Sequence, residues 1–185
     1  MNIFKVDSDP QIAAQSLCDK HVPKMIVESG QMLSTAHRML DGIEKKIPSK
    51  SGKRMVKGYY HPKLDDVLYK AVHHNHPSTV WTREAADNYS WHYEHFIALC
   101  KEFEFRFGKV HETYRKLSQA LSKLPENIPS GSTPIRKAMG AYPELLHLDG
   151  VTAYRKFYWL DKRDFAQWNK GRPAPQWWIE NEKAL

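Results

Sequence analysis

The sequence predicts an all-α fold, a compact single-domain multi-helix bundle spanning 1–185 with a basic surface loop. Three observations carry that expectation. Apolar residues recur at helical spacing, as in Met25, Ile26, Met32, Leu33, Ala36 and Leu40. Stretches with strand-like alternation are scarce. Hydrophobic residues make up 41% of the 185 positions against 26% charged, enough to bury one core.

The elements follow in order. "MNIFKV" reads as a short strand or a chain end laid on the core. Asp9 caps a first helix that Pro10 opens. A second helix starts around 20–23 and runs to Leu40, with Pro23 in its first turns and Asp41-Gly42 ending it. The next stretch, about 42–60, is rich in Gly, Ser and Lys and reads as a mobile basic loop. "HPKLDDVLYKAV" predicts a short helix opened by Pro62. A long helical stretch covers about 78–107, with an interruption and cap at Asp87 or Asn88. Further helices are expected in "HETYRKLSQALSKL" and "DGVTAYRKFYWLDKRDFAQW", with one or two turns in "TPIRKAMG". The tail from about 170 contains Pro173 and Pro175 and reads as an extended wrap.

Net charge is +7 and the pI is about 9.3, a balance that favours polyanionic partners, nucleic acid first among them. Cys18 and Cys100 lack CxxC spacing and fall in helical stretches, so buried free thiols in a reducing compartment are expected. No apolar run reaches membrane-span length, and the start of the chain lacks a signal-peptide layout. The expected setting is cytoplasmic, with no membrane partner. Glycine-rich phosphate loops, GxSxG, HExxH and zinc-finger spacings are absent, so neither a cofactor nor a metal is expected.

Three constellations could carry chemistry. His21, Lys24, Glu28 and Gln31 share one helix face, ending near His37 and Arg38. A carboxylate beside a histidine and a lysine suits either cation stabilisation or acid–base work, while the bland reading is a solvated Lys24–Glu28 pair. Second, "HHNHPSTVWTREAADNYSWHYEHF" offers His76, Arg83, Asn88 and His95 as hydrogen-bonding groups, with Trp81 or Trp91 as stacking faces. Its His73, His74, His76, His92 and His95 could alternatively bind a metal, though at no signature spacing. Third, Lys45, Lys46, Lys50, Lys53, Arg54 and Lys57 suit phosphate contacts, as do Arg155, Lys156 and Lys162 within an aromatic segment. Four of the six tryptophans lie at 154–178, where rings could stack on bases or fill the core.

The stretch "DKHVPKMIVE" resembles the Asp-x-His, six residues, then Glu pattern on the first long helix of phage pyrimidine-dimer DNA glycosylases of the endonuclease V type. "HFIALCKEFEFRFGK" and "AYRKFYWLDK" are similar, more loosely, to a later helix and an aromatic C-terminal segment of that family. The chain also resembles a family of small phage proteins with "CDKHVxKM…E…LSTAHR" and "NHPxxxWxRxSxxNYxW" blocks. The resemblance implies an all-α DNA glycosylase with apurinic-site lyase activity, working in a phage-infected bacterial host. It implies that an N-terminal α-amine attacks the sugar C1′ and forms a Schiff base. Glu28 would support glycosidic cleavage and the following elimination, and His21 would lie beside the sugar. Bound DNA would be kinked with a base flipped out.

Two positions depart from the pattern. Asn2 stands where the family has a small residue exposed by loss of Met, so the amine is that of Met1, or of Lys24, or there is none and Glu28 activates water. Val27 and Gln31 stand where the family has arginines. The leading expectation is therefore cleavage of the N-glycosidic bond of damaged or modified bases in DNA. Two alternatives remain open: a nucleotide N-glycosidase or metal-dependent nucleotide hydrolase, and a non-catalytic nucleic-acid-binding accessory protein.

Overall fold

The structure, a computed structural model, describes residues 1–49 and 51–183. Seven helices and one two-stranded sheet form the described chain: α1 (Pro10–Ser16), α2 (His21–Asp41), β1 (Ile43–Pro48), β2 (Met55–Tyr60), α3 (Pro77–Glu84), α4 (Ala86–Phe107), α5 (Glu112–Leu117), α6 (Gly150–Lys162) and α7 (Gln176–Lys183). The fold is mostly helical rather than purely all-α.

The long helices α2 and α4 form the frame, with α1 packed on α4 and α3 packed on both. Their shared core holds Val22, Met25, Ile26, Leu33, Phe96 and Leu99, all at most 1% exposed. Asp9 caps α1 by accepting from Gln11 N–H at 2.7 Å and Ile12 N–H at 3.0 Å. The N-terminal segment is a chain end laid on the core, with Ile3 and Val6 fully buried. Helix α6 turns Tyr154, Phe157, Tyr158 and Trp159 inward, so its rings are core rather than a stacking platform. Cys18 and Cys100 are buried free thiols. Among the described residues, no helix is long and apolar enough to cross a membrane.

Five expectations change. The basic stretch at 42–60 is an antiparallel hairpin, with Ile43 paired to Tyr60 and Pro48 to Met55. Its strands IEKKIP and MVKGYY place Ile47 opposite Val56 and Ile43 opposite Tyr60, but Lys and Glu break any regular alternation, so the sequence carries little strand signal. The expected helix at 62–73 is a series of turns. There the buried Arg38 guanidinium organises the backbone: it donates to the carbonyls of Tyr59, Asp65, Leu68 and Tyr69 and to the Asp65 carboxylate. Carbonyls drawn to that cation are unavailable for helical bonds. The break in the long helix falls at Ala85, where Pro129 and Gly131 carbonyls accept from Ala86 and Asp87 N–H at 2.8 and 3.0 Å. "TPIRKAMG" has no helical turn, and residues 176–183 of the tail form α7 instead of an extended wrap. Trp178 anchors α7, 3% exposed, against Trp168 and Tyr158.

Candidate active site

A small cleft of about 200 Å³ is lined by Met1, Asn2, Phe4, His21, Lys24, Met25, Glu28, Ala138, Phe157 and Lys162. It forms where the chain's first residues cross α2 and meet α6. His21, Lys24 and Glu28 reach it together because residues three and four apart on α2 share a face.

Glu28 is the centre of the arrangement. Its side chain is 14% exposed, and the Met1 α-amine lies 3.8 Å from Oε2. Asn2 N–H donates to the same oxygen at 2.9 Å. The Lys24 ammonium sits 3.8 Å from Oε1 but is 61% exposed. The carboxylate thus has an amine near each oxygen, one at the cleft and one in solvent.

Asn2 pins this geometry. Its Oδ1 accepts from Ile3 and Phe4 N–H at 2.8 and 3.2 Å, and its Nδ2 donates to the Ala138 carbonyl at 3.0 Å. The turn drives Phe4 to φ 55°, a left-handed conformation that costs a non-glycine residue energy. The Phe4 ring offsets part of that cost by stacking on His21, with centroids 5.2 Å apart. From α3, Thr79 donates to the Met1 sulfur at 3.4 Å.

His21 is 3% exposed, and its Nδ1 lies 2.8 Å from the Tyr158 hydroxyl. Burial, with Lys162, Lys24 and Lys20 adding like charge, pushes its pKa down to about 3. At neutral pH it is an uncharged imidazole, able to orient a hydroxyl or carry a hydrogen bond but not to act as a standing cation. His76 caps α3 by accepting from Ser78 N–H at 3.2 Å. Its pKa is lowered by burial first, then by the positive charge of the Met1 amine and His73, and it is not part of the cleft lining.

The remaining expected site residues divide. Gln31 is half-buried one turn beyond Glu28 and is not part of the lining. His37 and Arg38 lie about 14 Å and more along α2 from Glu28 and cannot share its cleft. Trp81 is buried and donates to the Thr133 carbonyl at 3.0 Å. Asn88 clamps the same loop, donating to Thr133 Oγ1 at 2.7 Å and accepting from Thr133 N–H at 3.0 Å. His95 is fully buried against the Pro10 carbonyl at 3.0 Å, and Trp91 stacks on it while donating to Ser8. All four hold helices together and none reaches the cleft. Arg83 is half-buried with no partner for Nη1, also away from the lining.

Of the basic residues, Lys45, Lys46, Lys53, Arg54 and Lys57 lie on the hairpin at 43–60, where Lys57 pairs with Glu44 at 3.0 Å. Lys50 lies outside the described residues. Lys156 is exposed on α6, and Lys162 lines the cleft beside Asp161. Arg155 is committed to the fold through the Val6 carbonyl at 2.7 Å and Asp7 at 2.8 Å.

Sequence reading did not place Ala138 and Phe157 in the cleft, which they reach from more than 100 positions away. It also missed the metal-capable group that the described residues do contain. This is His37, Asp41 and His61, not the run from His73 to His95. A larger groove of about 920 Å³ between α1 and α4 holds Glu102, but Arg106 and Arg172 already neutralise it. The chain matches no family model, no curated protein and no solved structure.

Proposed function

We propose that the protein is a DNA glycosylase with apurinic-site lyase activity, using the Met1 α-amine as nucleophile and Glu28 as its acid–base partner. The observation that carries this reading is the amine held 3.8 Å from a mostly buried carboxylate at the bottom of a cleft. Glu28 is placed to receive the amine's proton. The free amine attacks the sugar C1′ as the C1′–base bond breaks, and the base departs with the proton that Glu28 took up. Glu28 then passes the nitrogen's second proton to O4′ as the C1′–O4′ bond opens, which leaves a Schiff base between nitrogen and C1′. Glu28 then removes a C2′ proton, and the 3′ phosphate leaves by β-elimination.

The surroundings suit a nucleotide. A cleft of about 200 Å³ has room for a sugar. Lys162 at its wall and Lys24 at its mouth offer cations to the flanking phosphates. The projecting hairpin is a two-stranded ribbon with exposed lysines, a shape that enters the major groove of DNA.

Borohydride trapping on abasic-site and ultraviolet-irradiated DNA tests the proposal. The expected result is a covalent adduct that peptide mass spectrometry assigns to the N-terminal amine. An adduct on Lys24 reassigns the nucleophile, and no adduct together with no base release overturns the enzyme reading.

A further inference from the structure

At the end of α2 remote from the amine cleft, three side chains converge that the glycosylase reading does not use. His37 and Asp41 are four residues apart on the last turns of α2, and His61 arrives on the chain leaving β2. One ring nitrogen from each histidine and one Asp41 oxygen all lie within 4.8 Å of one another. The two rings meet edge to face with centroids 6.1 Å apart.

Both histidines are buried, at 2% and 5% exposure. Each keeps one buried nitrogen without a hydrogen-bond partner, Nδ1 of His37 and Nε2 of His61. Buried ring nitrogens are normally paired, so two orphans on facing rings beside a carboxylate form a ligand set. The Tyr89 hydroxyl lies 3.0 Å from the Leu121 carbonyl, to which it donates, and 2.8 Å from His37 Nε2. In the tautomer that carries the proton on Nε2, His37 Nδ1 is a bare lone pair. Asp41 is oriented by Glu126 and Asn127 N–H at 2.7 and 2.9 Å, which leaves it lone pairs to spare. His61 Nδ1 accepts from Lys63 and Leu64 N–H at 3.2 and 3.0 Å. To ligate through Nε2, His61 must move its proton to Nδ1 and release those two N–H groups. They belong to a surface turn, where water can take them.

We propose that His37, Asp41 and His61 bind a divalent cation of the zinc class, tying the end of α2 to the base of the hairpin and to the loop at 123–127. Two imidazoles and a carboxylate suit zinc and its first-row neighbours rather than magnesium or calcium, which prefer all-oxygen sites. Tyr89, Glu126 and Asn127 supply the outer hydrogen bonds that hold such ligands in place. The proposal stands apart from the chemistry at Glu28.

The test titrates chelator-treated, dialysed full-length protein with Zn²⁺ by calorimetry, with Mg²⁺ as competitor. The expected result is one Zn²⁺ per chain that excess Mg²⁺ does not displace. His61→Asn keeps an acceptor for the Lys63 and Leu64 N–H groups, and His37→Gln keeps a donor for Tyr89, while each removes a ligand. Each variant is expected to weaken Zn²⁺ binding by more than about 100-fold, beyond the loss of an outer partner, with circular dichroism unchanged. If one variant fails to fold, the other decides. Absence of Zn²⁺ binding overturns the site, as does binding in a folded variant equal to that of the unaltered protein. Hydrogen exchange gives a check without mutation: Zn²⁺ must slow exchange at Glu126 and Asn127, whose N–H groups Asp41 holds, and speed it at Lys63 and Leu64, whose N–H groups His61 releases; unchanged rates at both overturn the proposal.

Discussion

Mild acid should unfold this protein, and histidine burial sets the size of the effect. His21 and His95 are buried as neutral rings, with pKa values pushed down to about 3 and about 4 by desolvation. His37, 2% exposed, is pushed down to about 4 by the same desolvation. In an unfolded chain each ring takes up a proton near pH 6.5. Between the unfolded and folded values the unfolded state holds protons that the native state refuses, so stability falls as pH falls. At pH 5 each ring costs about 2 kcal/mol relative to neutral pH, and the three together about 6 kcal/mol. That is comparable to the whole folding free energy of a typical domain, about 5–15 kcal/mol. Urea unfolding at pH 7.5, 6.5, 5.5 and 5 reads it out. Near pH 5 the slope should approach about 4 kcal/mol per pH unit, the signature of three protons taken up on unfolding. A flat profile between pH 7 and 5 refutes the reasoning, as do native-state imidazole titrations with midpoints near 6.5.

Other consequences can be checked separately. Glu28→Gln should slow Schiff-base trapping by about 10²–10⁴-fold, the usual worth of an acid–base group, while DNA affinity in a filter-binding assay changes little. Arg106 is fully buried at its side chain, joining Glu102 at 2.7 Å and Asp19 at 2.9 Å and donating to the Leu17 carbonyl at 2.8 Å. Arg106→Met takes the cation from Asp19 and leaves Glu102 to Arg172 alone, and should cost about 3 kcal/mol in a urea titration. Replacing Lys45, Lys46 and Lys53 together by Ala should flatten the dependence of log K on log salt by about 0.9 for each phosphate left without its cation. An unchanged slope would show that the hairpin does not carry DNA.

What could be read from the sequence depended on whether its cause was local. Helices α1 and α6 announce themselves through Asp9 and Asp149, whose carboxylates accept from N–H groups two or three residues on. The face of α2 was equally legible, because helical geometry alone brings His21, Lys24 and Glu28 to one side. Extending that face to His37 and Arg38 overlooked the rise of the helix, about 1.5 Å per residue. Arg38 shows the other limit. Its guanidinium reorganises residues 59–69, and nothing within "HPKLDDVLYKAV" records that a cation from α2 will claim its carbonyls. The hairpin was hidden for a different reason. Its few apolar residues, Ile43, Ile47 and Val56, make no regular alternation, Lys and Ser dominate the composition, and both of its faces are largely exposed. The cleft depended on contacts between distant parts of the chain. Lys162, Phe157 and Ala138 meet Asn2 and Phe4 only after the chain has folded.

The amine beside Glu28 has a genetic consequence. It belongs to the backbone, so changing the first codon's side chain would not remove it, and an alanine scan passes over it. The equivalent of a knockout is a change of length. One extra residue ahead of Met1 converts the amine to an amide, and an affinity tag fused there does the same while crowding a cleft of about 200 Å³. With the Met1 amine as the proposed nucleophile, a preparation tagged at that end is expected to lose Schiff-base trapping. Any search for activity should therefore begin with the tag at the opposite end and the mass of the first peptide in hand.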